Sequence, residues 1–175
     1  DFGCRLLVAE FGVVVFLTGV GFQYLLTTVE RQLPRDRYLH ALADIVTIAR
    51  GPKAARAMQD VGLVPTYVAP EPHTWRELLT TVDRHVPVDH QVVAIQEYGE
   101  SNISLVAGLE ARGARVVSIP VYRWGLPDDL QPLERAVRAL ADGQVDVVLF
   151  ASAIHVAHVL HVARRLGIED QLRQA

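Results

Sequence analysis

The chain has very little of the sulfur chemistry that can hold a fold together. Its 175 residues include one cysteine, Cys4, and one methionine. A single cysteine excludes an internal disulfide framework and a cysteine-rich metal site, and it is typical of a reducing compartment. We therefore expect a fold held by its apolar core, and a cytoplasmic location.

Excess positive charge and long unbroken apolar runs are absent too. Seventeen Lys and Arg face 20 Asp and Glu, a formal net charge of −3 that gives no basic surface for nucleic acid. The apolar stretch 6–26 is interrupted by Glu10, Gly12, Gly19 and Gly21, and no basic segment precedes it. It predicts a core strand and helix rather than a membrane span or signal peptide.

Several motifs that bind cofactors or metals are missing. No Walker A loop occurs, and in the turn 18–21 the third glycine of a dinucleotide fingerprint is replaced by Tyr24. His155, His158 and His161 share one predicted helix, but no H-E-x-x-H motif accompanies them, so surface histidines are the expected reading. No Ser-His-Asp or Cys-His arrangement stands out. The sequence therefore indicates neither a dinucleotide or Walker-type nucleotide site nor a metal site.

What the chain does have is a regular alternation of short apolar runs with amphipathic segments. This alternation predicts an α/β fold on a parallel sheet with crossover helices. Strands are predicted at 13–17, 44–49, 66–68, 91–96, 115–120 and 146–150, and helices at 22–30, 52–61, 74–84, 101–111, 130–141 and 154–166.

Several helix ends can be predicted from single residues. Thr74 with Glu77 three positions later predicts a capping box at a helix start. Gly62, Gly113 and Gly167 each follow a helical pattern and predict left-handed residues at helix ends.

Two predicted strands run directly into helices through small or hydroxyl residues. The first turn contains Thr18, Gly19 and Val20, and the second contains Ser152. Helix starts of this kind present unpaired amides at the positive end of the helix dipole, where anions bind. The alternative is a tight structural turn that Thr18 merely caps.

Two further junctions carry polar side chains. Arg50 and Lys53 flank Pro52, which fits the first position of a helix, and this start is either an anion site or an ordinary solvated helix end. Gln96 and Tyr98 follow a predicted strand at the edge where open α/β sheets bind ligands, unless they belong to a plain polar loop.

Five stretches together carry a family resemblance. In their order and spacing the chain resembles the uroporphyrinogen-III synthase family over essentially its whole length. The stretches are 15–21, 49–55, 70–75, 119–123 and 149–154.

The resemblance implies two α/β lobes with parallel sheets and an active-site cleft between them. Residues 1–120 would form most of the first lobe, and residues 121–175 the crossover and part of an incomplete second lobe. The chain is therefore expected to be part of a longer protein. We also expect a monomer.

The resemblance also implies an activity: cyclisation of the linear tetrapyrrole hydroxymethylbilane, with inversion of the last ring and loss of water, and without a cofactor. Tyr122 matches the crossover tyrosine that assists departure of the hydroxyl. Together with the junction residues, the expected substrate-binding set is Thr18, Gly19, Val20, Arg50, Gly51, Lys53, Gln96, Tyr98, Ala151, Ser152 and Ala153.

Two departures from the family pattern keep other functions open. Gly19 stands where the first turn usually has serine, and Ala153 stands where the second usually has proline. They favour, as an alternative, a non-catalytic ligand sensor joined to a DNA-binding segment outside these residues. A periplasmic-type binding domain is a third hypothesis, although it would need a signal peptide.

Overall fold

The computed structural model describes residues 2–99, 101–122 and 125–174. The chain divides into two compact units, Asp1–Arg123 and Trp124–Ala175, and each is described by itself.

The first unit is built on a five-stranded parallel sheet, which confirms the predicted α/β class. Its spatial order is β3-β2-β1-β4-β5, and every neighbouring pair is parallel. From β1 the chain continues to β2 and β3 on one side of the sheet, and from β4 it continues to β5 on the other side. The strand order therefore reverses between β1 and β4, and open α/β sheets bind ligands at such a switch point. The strands are β1 (Val13–Phe16), β2 (Val46–Ala49), β3 (Tyr67–Val68), β4 (Val92–Glu97) and β5 (Arg115–Pro120).

Helices cover both faces of this sheet. Val14 and Phe16 point into a core shared with four helices, and Val13 and Val15 point into a second core with the other two. This two-sided burial explains why β1 reads as a continuous apolar run. The first face has α1 (Phe2–Leu7), α2 (Gly19–Glu30), α3 (Arg35–Ala43) and α4 (Pro52–Gln59); the second has α5 (Trp75–His85) and α6 (Ile103–Glu110).

The predicted helix ends are confirmed. Thr74 and Glu77 form a complete capping box at the start of α5. Gly62, Gly113 and Gly167 have φ angles of 83°, 82° and 71°, in the left-handed region that glycine occupies without strain.

The second unit is small and helical over its described residues. It contains α7 (Gln131–Ala141), α8 (Ala153–Leu166) and α9 (Glu169–Gln174). Its fully buried side chains are Val137, Val162 and Ala163.

The strand predicted at 146–150 is wrong for this structure. The segment forms no strand, and Val147 and Leu149 are 74% and 90% exposed. A strand needs a neighbour to pair its backbone groups. Residues 125–174, as described, include no strand that could serve as that neighbour. None of the described helices is both long and apolar enough to cross a membrane.

Candidate functional site

The first strand-to-helix junction leads from β1 into α2. Thr18 is the N-cap of α2, and its hydroxyl accepts a hydrogen bond from the Gly21 amide at 3.0 Å. A Cβ at Gly19 would lie 2.5 Å from the Lys53 carbonyl oxygen, so glycine here lets α2 approach α4 closely. The first amides of α2, at Gly19 and Val20, have no acceptor within their own helix. The junction therefore has the form of an anion-binding turn.

Gln96 packs against this turn from the end of β4. Its position is a correction to the prediction that its side chain contacts a ligand. It is fully buried at the end of β4, its Oε1 accepts from the Thr18 amide at 3.3 Å, and its Nε2 donates to the Glu97 carbonyl at 2.8 Å. A Cβ at Gly21 would overlap the Gln96 amide. Both polar ends of Gln96 are engaged inside the protein, so it holds the turn in place.

The second junction forms a small basic cavity. A cavity of about 270 Å³ opens at the start of α4. Arg50 directly follows β2, Gly51 is the N-cap of α4, and Lys53 lies in the first turn of that helix. The side chains of Arg50 and Lys53 attract anions, and so do the first amides of α4. The cavity therefore favours a negatively charged ligand. The lining residues are Leu17, Arg50, Gly51, Pro52, Lys53, Ala54, Pro72 and His73.

His73 is a lining residue that the sequence reasoning missed. Its Nδ1 lies 2.8 Å from the Ala69 carbonyl, and its ring covers Gly51, where a Cβ would approach the ring to 3.0 Å. The contact with a carbonyl oxygen requires a proton on Nδ1. His73 lies in the stretch 70–75 that carries part of the family resemblance, where the sequence pattern predicts a role only for Thr74, as a helix N-cap. A histidine immediately before a helix N-cap was the available signal.

The contact between Arg50 and Tyr98 connects the junction after β2 with the junction after β4. Arg50 Nη1 donates a 2.7 Å hydrogen bond to the Tyr98 hydroxyl, and its guanidinium carbon lies 5.1 Å from the centre of the Tyr98 ring. These residues follow β2 and β4, which lie on either side of β1. The sheet thus brings together two residues that are 48 positions apart.

Tyr122 lies at the same edge of the sheet, just after β5. Its carbonyl accepts from the Gly99 amide at 3.0 Å, and its ring centre is 6.4 Å from that of Tyr98. The first unit alone therefore gathers Thr18, Arg50 and Tyr122 near the carboxyl ends of its strands. Arg123, the last residue of the 119–123 stretch, lies outside the described residues.

The junction around Ser152 belongs to the second unit. It lacks both the strand predicted before it and a capping hydrogen bond from the Ser152 side chain. Ser152 is the N-cap of α8, but its side chain makes no capping bond, and its buried hydroxyl has no hydrogen-bond partner among the described residues. Ala151 is exposed, and Ala153 begins α8. An irregular segment, in place of the predicted strand, leads into this helix.

Metal binding has no support in the described part of the chain. No three His, Cys, Asp or Glu side chains there lie close enough together to hold an ion, and this includes His155, His158 and His161 of α8.

Comparisons with known proteins point to one family. The family model described as Uroporphyrinogen-III synthase HemD matches residues 4–175. A Bacillus subtilis (strain 168) protein, Uncharacterized protein YjjA, is 30% identical over 161 residues, which are 92% of this chain and 58% of that protein. The Putative uroporphyrinogen-III synthase of Methanothermobacter thermautotrophicus (strain Delta H) is 30% identical over 167 residues, 94% of this chain and 63% of its own length.

Solved structures similar to this chain belong to the same family. A mutant uroporphyrinogen III synthase from the extremely thermophilic bacterium Thermus thermophilus is 29% identical, with a TM-score of 0.70, over 98% of this chain and 64% of that one. The wild-type enzyme in another crystal form gives a TM-score of 0.62 over 99% and 71%. The chain spans 58% and 63% of the lengths of the two curated relatives.

Proposed function

The chain belongs to the uroporphyrinogen-III synthase family, and from this premise we propose that its natural protein closes hydroxymethylbilane to uroporphyrinogen III. The last pyrrole ring is inverted and one water is lost, so the enzyme is a cyclising lyase of tetrapyrrole biosynthesis. A cytoplasmic location and a monomeric state are parts of the same proposal.

One observation carries the proposal: anion-binding features and a tyrosine converge at one edge of one sheet. Four features lie near the carboxyl ends of the strands: the Thr18 turn, the Arg50–Tyr98 pair, the cavity beside Lys53 and the Tyr122 ring. The substrate is a polycarboxylate, and helix amides with nearby cations suit its charges.

In the proposed mechanism the protein acts chiefly by positioning. The amides of Gly19, Val20 and Gly51 and the cations of Arg50 and Lys53 hold carboxylates, so that the two ends of the bilane meet. Ala151, Ser152 and Ala153 are further proposed substrate-binding residues, which would contribute amides. Tyr122 gives a proton to the departing hydroxyl, which leaves as water when its carbon–oxygen bond breaks.

The experiment is an isomer analysis of the product. The protein at its natural length is supplied with freshly made hydroxymethylbilane, and the products are oxidised and separated by chromatography. We expect the type III isomer, with Tyr122→Phe lowering turnover by roughly a hundredfold. Tyr67→Phe, a tyrosine stacked on His85, is the matched control and keeps its activity. Formation of the spontaneous type I isomer alone would contradict the proposal.

Packing offers another explanation for one of the two departures that favour the sensor alternative. Gly19 replaces a hydroxyl residue of the family pattern, and this loss of a side chain favoured a non-catalytic protein. The close approach of α2 to the Lys53 carbonyl gives Gly19 a packing reason that is independent of catalysis.

A further inference from the structure

Three of the five tyrosines of the chain gather at the carboxyl edge of the sheet. Tyr24 comes from the second turn of α2, Tyr98 follows β4, and Tyr122 follows β5. The ring centres of Tyr24 and Tyr122 are 6.0 Å apart, and those of Tyr122 and Tyr98 are 6.4 Å apart. We name these three side chains the tyrosine row.

The row is accessible at one end and anchored at the other. Tyr24 is 56% exposed, although a side chain of this size gains stability mainly through burial. At the other end, the Tyr98 hydroxyl accepts from Arg50, which also lies over the Tyr98 ring. These two contacts fix the guanidinium before any ligand arrives, which lowers the entropy cost of binding.

Fixed positive charge lies next to the anchored end of the row. Arg50 also lines the cavity that contains Lys53 and His73. A ligand that suits both features has a flat aromatic ring for the tyrosines and a carboxylate for the cations. A purely aliphatic polyanion would use the cations and leave the exposed ring of Tyr24 without a partner.

We propose that the tyrosine row and Arg50 form a ring-binding subsite, at which one carboxylate-bearing pyrrole of the substrate lies along the row with its carboxylate towards Arg50. Tyr24 and Tyr98 are then specificity-determining residues that select an aromatic acid over an aliphatic one. This assignment rests on the proposed function for the identity of the pyrrole, and the row supplies ring recognition that helix amides lack.

The test compares two stable probes on the protein at its natural length. Uroporphyrin has aromatic rings and carboxylates, whereas butane-1,2,3,4-tetracarboxylate has carboxylates alone. We expect Tyr24→Leu to weaken uroporphyrin binding about fivefold to tenfold, and tetracarboxylate binding to stay within about twofold. Tyr24→Phe keeps the ring and binds both probes as the unmodified protein does.

Two further variants make the test selective. Arg50→Gln weakens both probes, because it removes the charge that serves either one. Tyr67→Leu is the matched control and leaves both affinities unchanged, since that tyrosine stacks on His85 outside the row. Circular dichroism and thermal unfolding establish that each variant is folded, and the exposure of Tyr24 makes its replacement compatible with folding.

The outcomes separate this inference from the proposed function. If type III product forms but Tyr24→Leu changes neither KM nor uroporphyrin affinity, the subsite is overturned and the activity stands. If only type I product forms while the selective loss of uroporphyrin binding persists, the subsite stands without the activity. An equal loss in Tyr24→Phe and Tyr24→Leu would also overturn the subsite, because the hydroxyl rather than the ring would be responsible.

Discussion

Tyr38 shows how one buried hydroxyl can lower the stability of an otherwise apolar core. The side chain is fully buried, its ring packs edge-on against Phe2, and its hydroxyl has no hydrogen-bond partner among the described residues. Burial raises the pKa of this hydroxyl, because the charged form loses its solvation. The polar atom therefore loses its bonds to water and gains nothing in return.

We predict that Tyr38→Phe stabilises the protein. Removing the hydroxyl keeps the ring in place and should raise the free energy of unfolding by about 1 kcal/mol. Urea unfolding at neutral pH measures this difference, with Tyr67→Phe as a control in which stability stays the same. A loss of stability in Tyr38→Phe would show that the hydroxyl is bonded in solution.

Gly21 is the residue through which Gln96 fixes the first junction. A Cβ at this position would overlap the Gln96 amide, whose Oε1 accepts from Thr18. We predict that Gly21→Ala lowers the free energy of unfolding by about 1–3 kcal/mol, since the buried amide must shift. Gly125→Ala is the control, because a Cβ at Gly125 meets nothing within 4 Å. Equal stability of the two alanine variants, by thermal unfolding, would contradict this packing.

Single residues differ in how much of their role a sequence reveals. The capping box of Thr74 and Glu77 was predictable, because both partners lie within one helical turn. Gln96 was predicted to contact a ligand, whereas its side chain is fully buried and contacts Thr18, 78 positions away. The direction of a side chain near a strand end depends on which strands are neighbours, and spacing along the chain does not contain that information.

At the scale of whole elements, β1 and the segment 146–150 show why equal patterns give different structures. Both are short apolar runs before a helix. β1 pairs with β2 on one side and β4 on the other, which satisfies its backbone groups. The segment 146–150 has no such neighbour among the described residues and stays exposed. An apolar run therefore predicts the tendency to form a strand, and pairing partners decide the outcome.

An ion pair connects α5 with the turn that follows α6. Arg112 donates to Asp83 through Nε at 2.5 Å and through Nη2 at 2.7 Å, and these hydrogen bonds hold the pKa of the Asp83 carboxyl below its ordinary value. A lowered folded-state pKa means that the pair stabilises the fold above the unfolded value of about 4. That contribution is lost as the pH falls through the lowered folded value.

We therefore predict that Asp83→Asn reduces stability at pH 7 but not in acid. The loss at pH 7 should be below about 1 kcal/mol, because both side chains are partly exposed. Below about pH 4 the difference from the unmodified protein should shrink as the Asp83 carboxyl protonates. Urea unfolding at several pH values measures it, with Asp60→Asn as an exposed control. A difference that is constant with pH would argue against the ion pair.

At the scale of the molecule, the candidate site depends on a strand order that the sequence does not state. The alternating pattern was enough to predict a parallel α/β sheet, and that prediction is confirmed. The order β3-β2-β1-β4-β5 places the ends of β1 and β4 side by side, and this brings Tyr98 to Arg50 and Tyr122. In the sequence Tyr24 only interrupts a glycine motif, because its ring partner, Tyr122, lies 98 positions further along the chain.

The two units differ in how much core each has, and this leads to a prediction about folding. The first unit buries side chains on both faces of a five-stranded sheet. Among the described residues of the second unit, three are fully buried: Val137, Val162 and Ala163. Because stability scales with the surface that a domain buries, we expect only the first unit to fold alone.

Expressed separately, residues 1–123 should unfold in a single cooperative thermal transition, followed by circular dichroism. Residues 124–175 should show a shallow change without a transition, since so small a core cannot offset the lost chain entropy. Val137→Asp in the whole chain is the matched control: it disrupts the core of the second unit and should leave the transition of the first unit where it was. The transition of the first unit should survive both separate expression and Val137→Asp. If it disappears in either experiment, the sheet needs contacts beyond its own two cores.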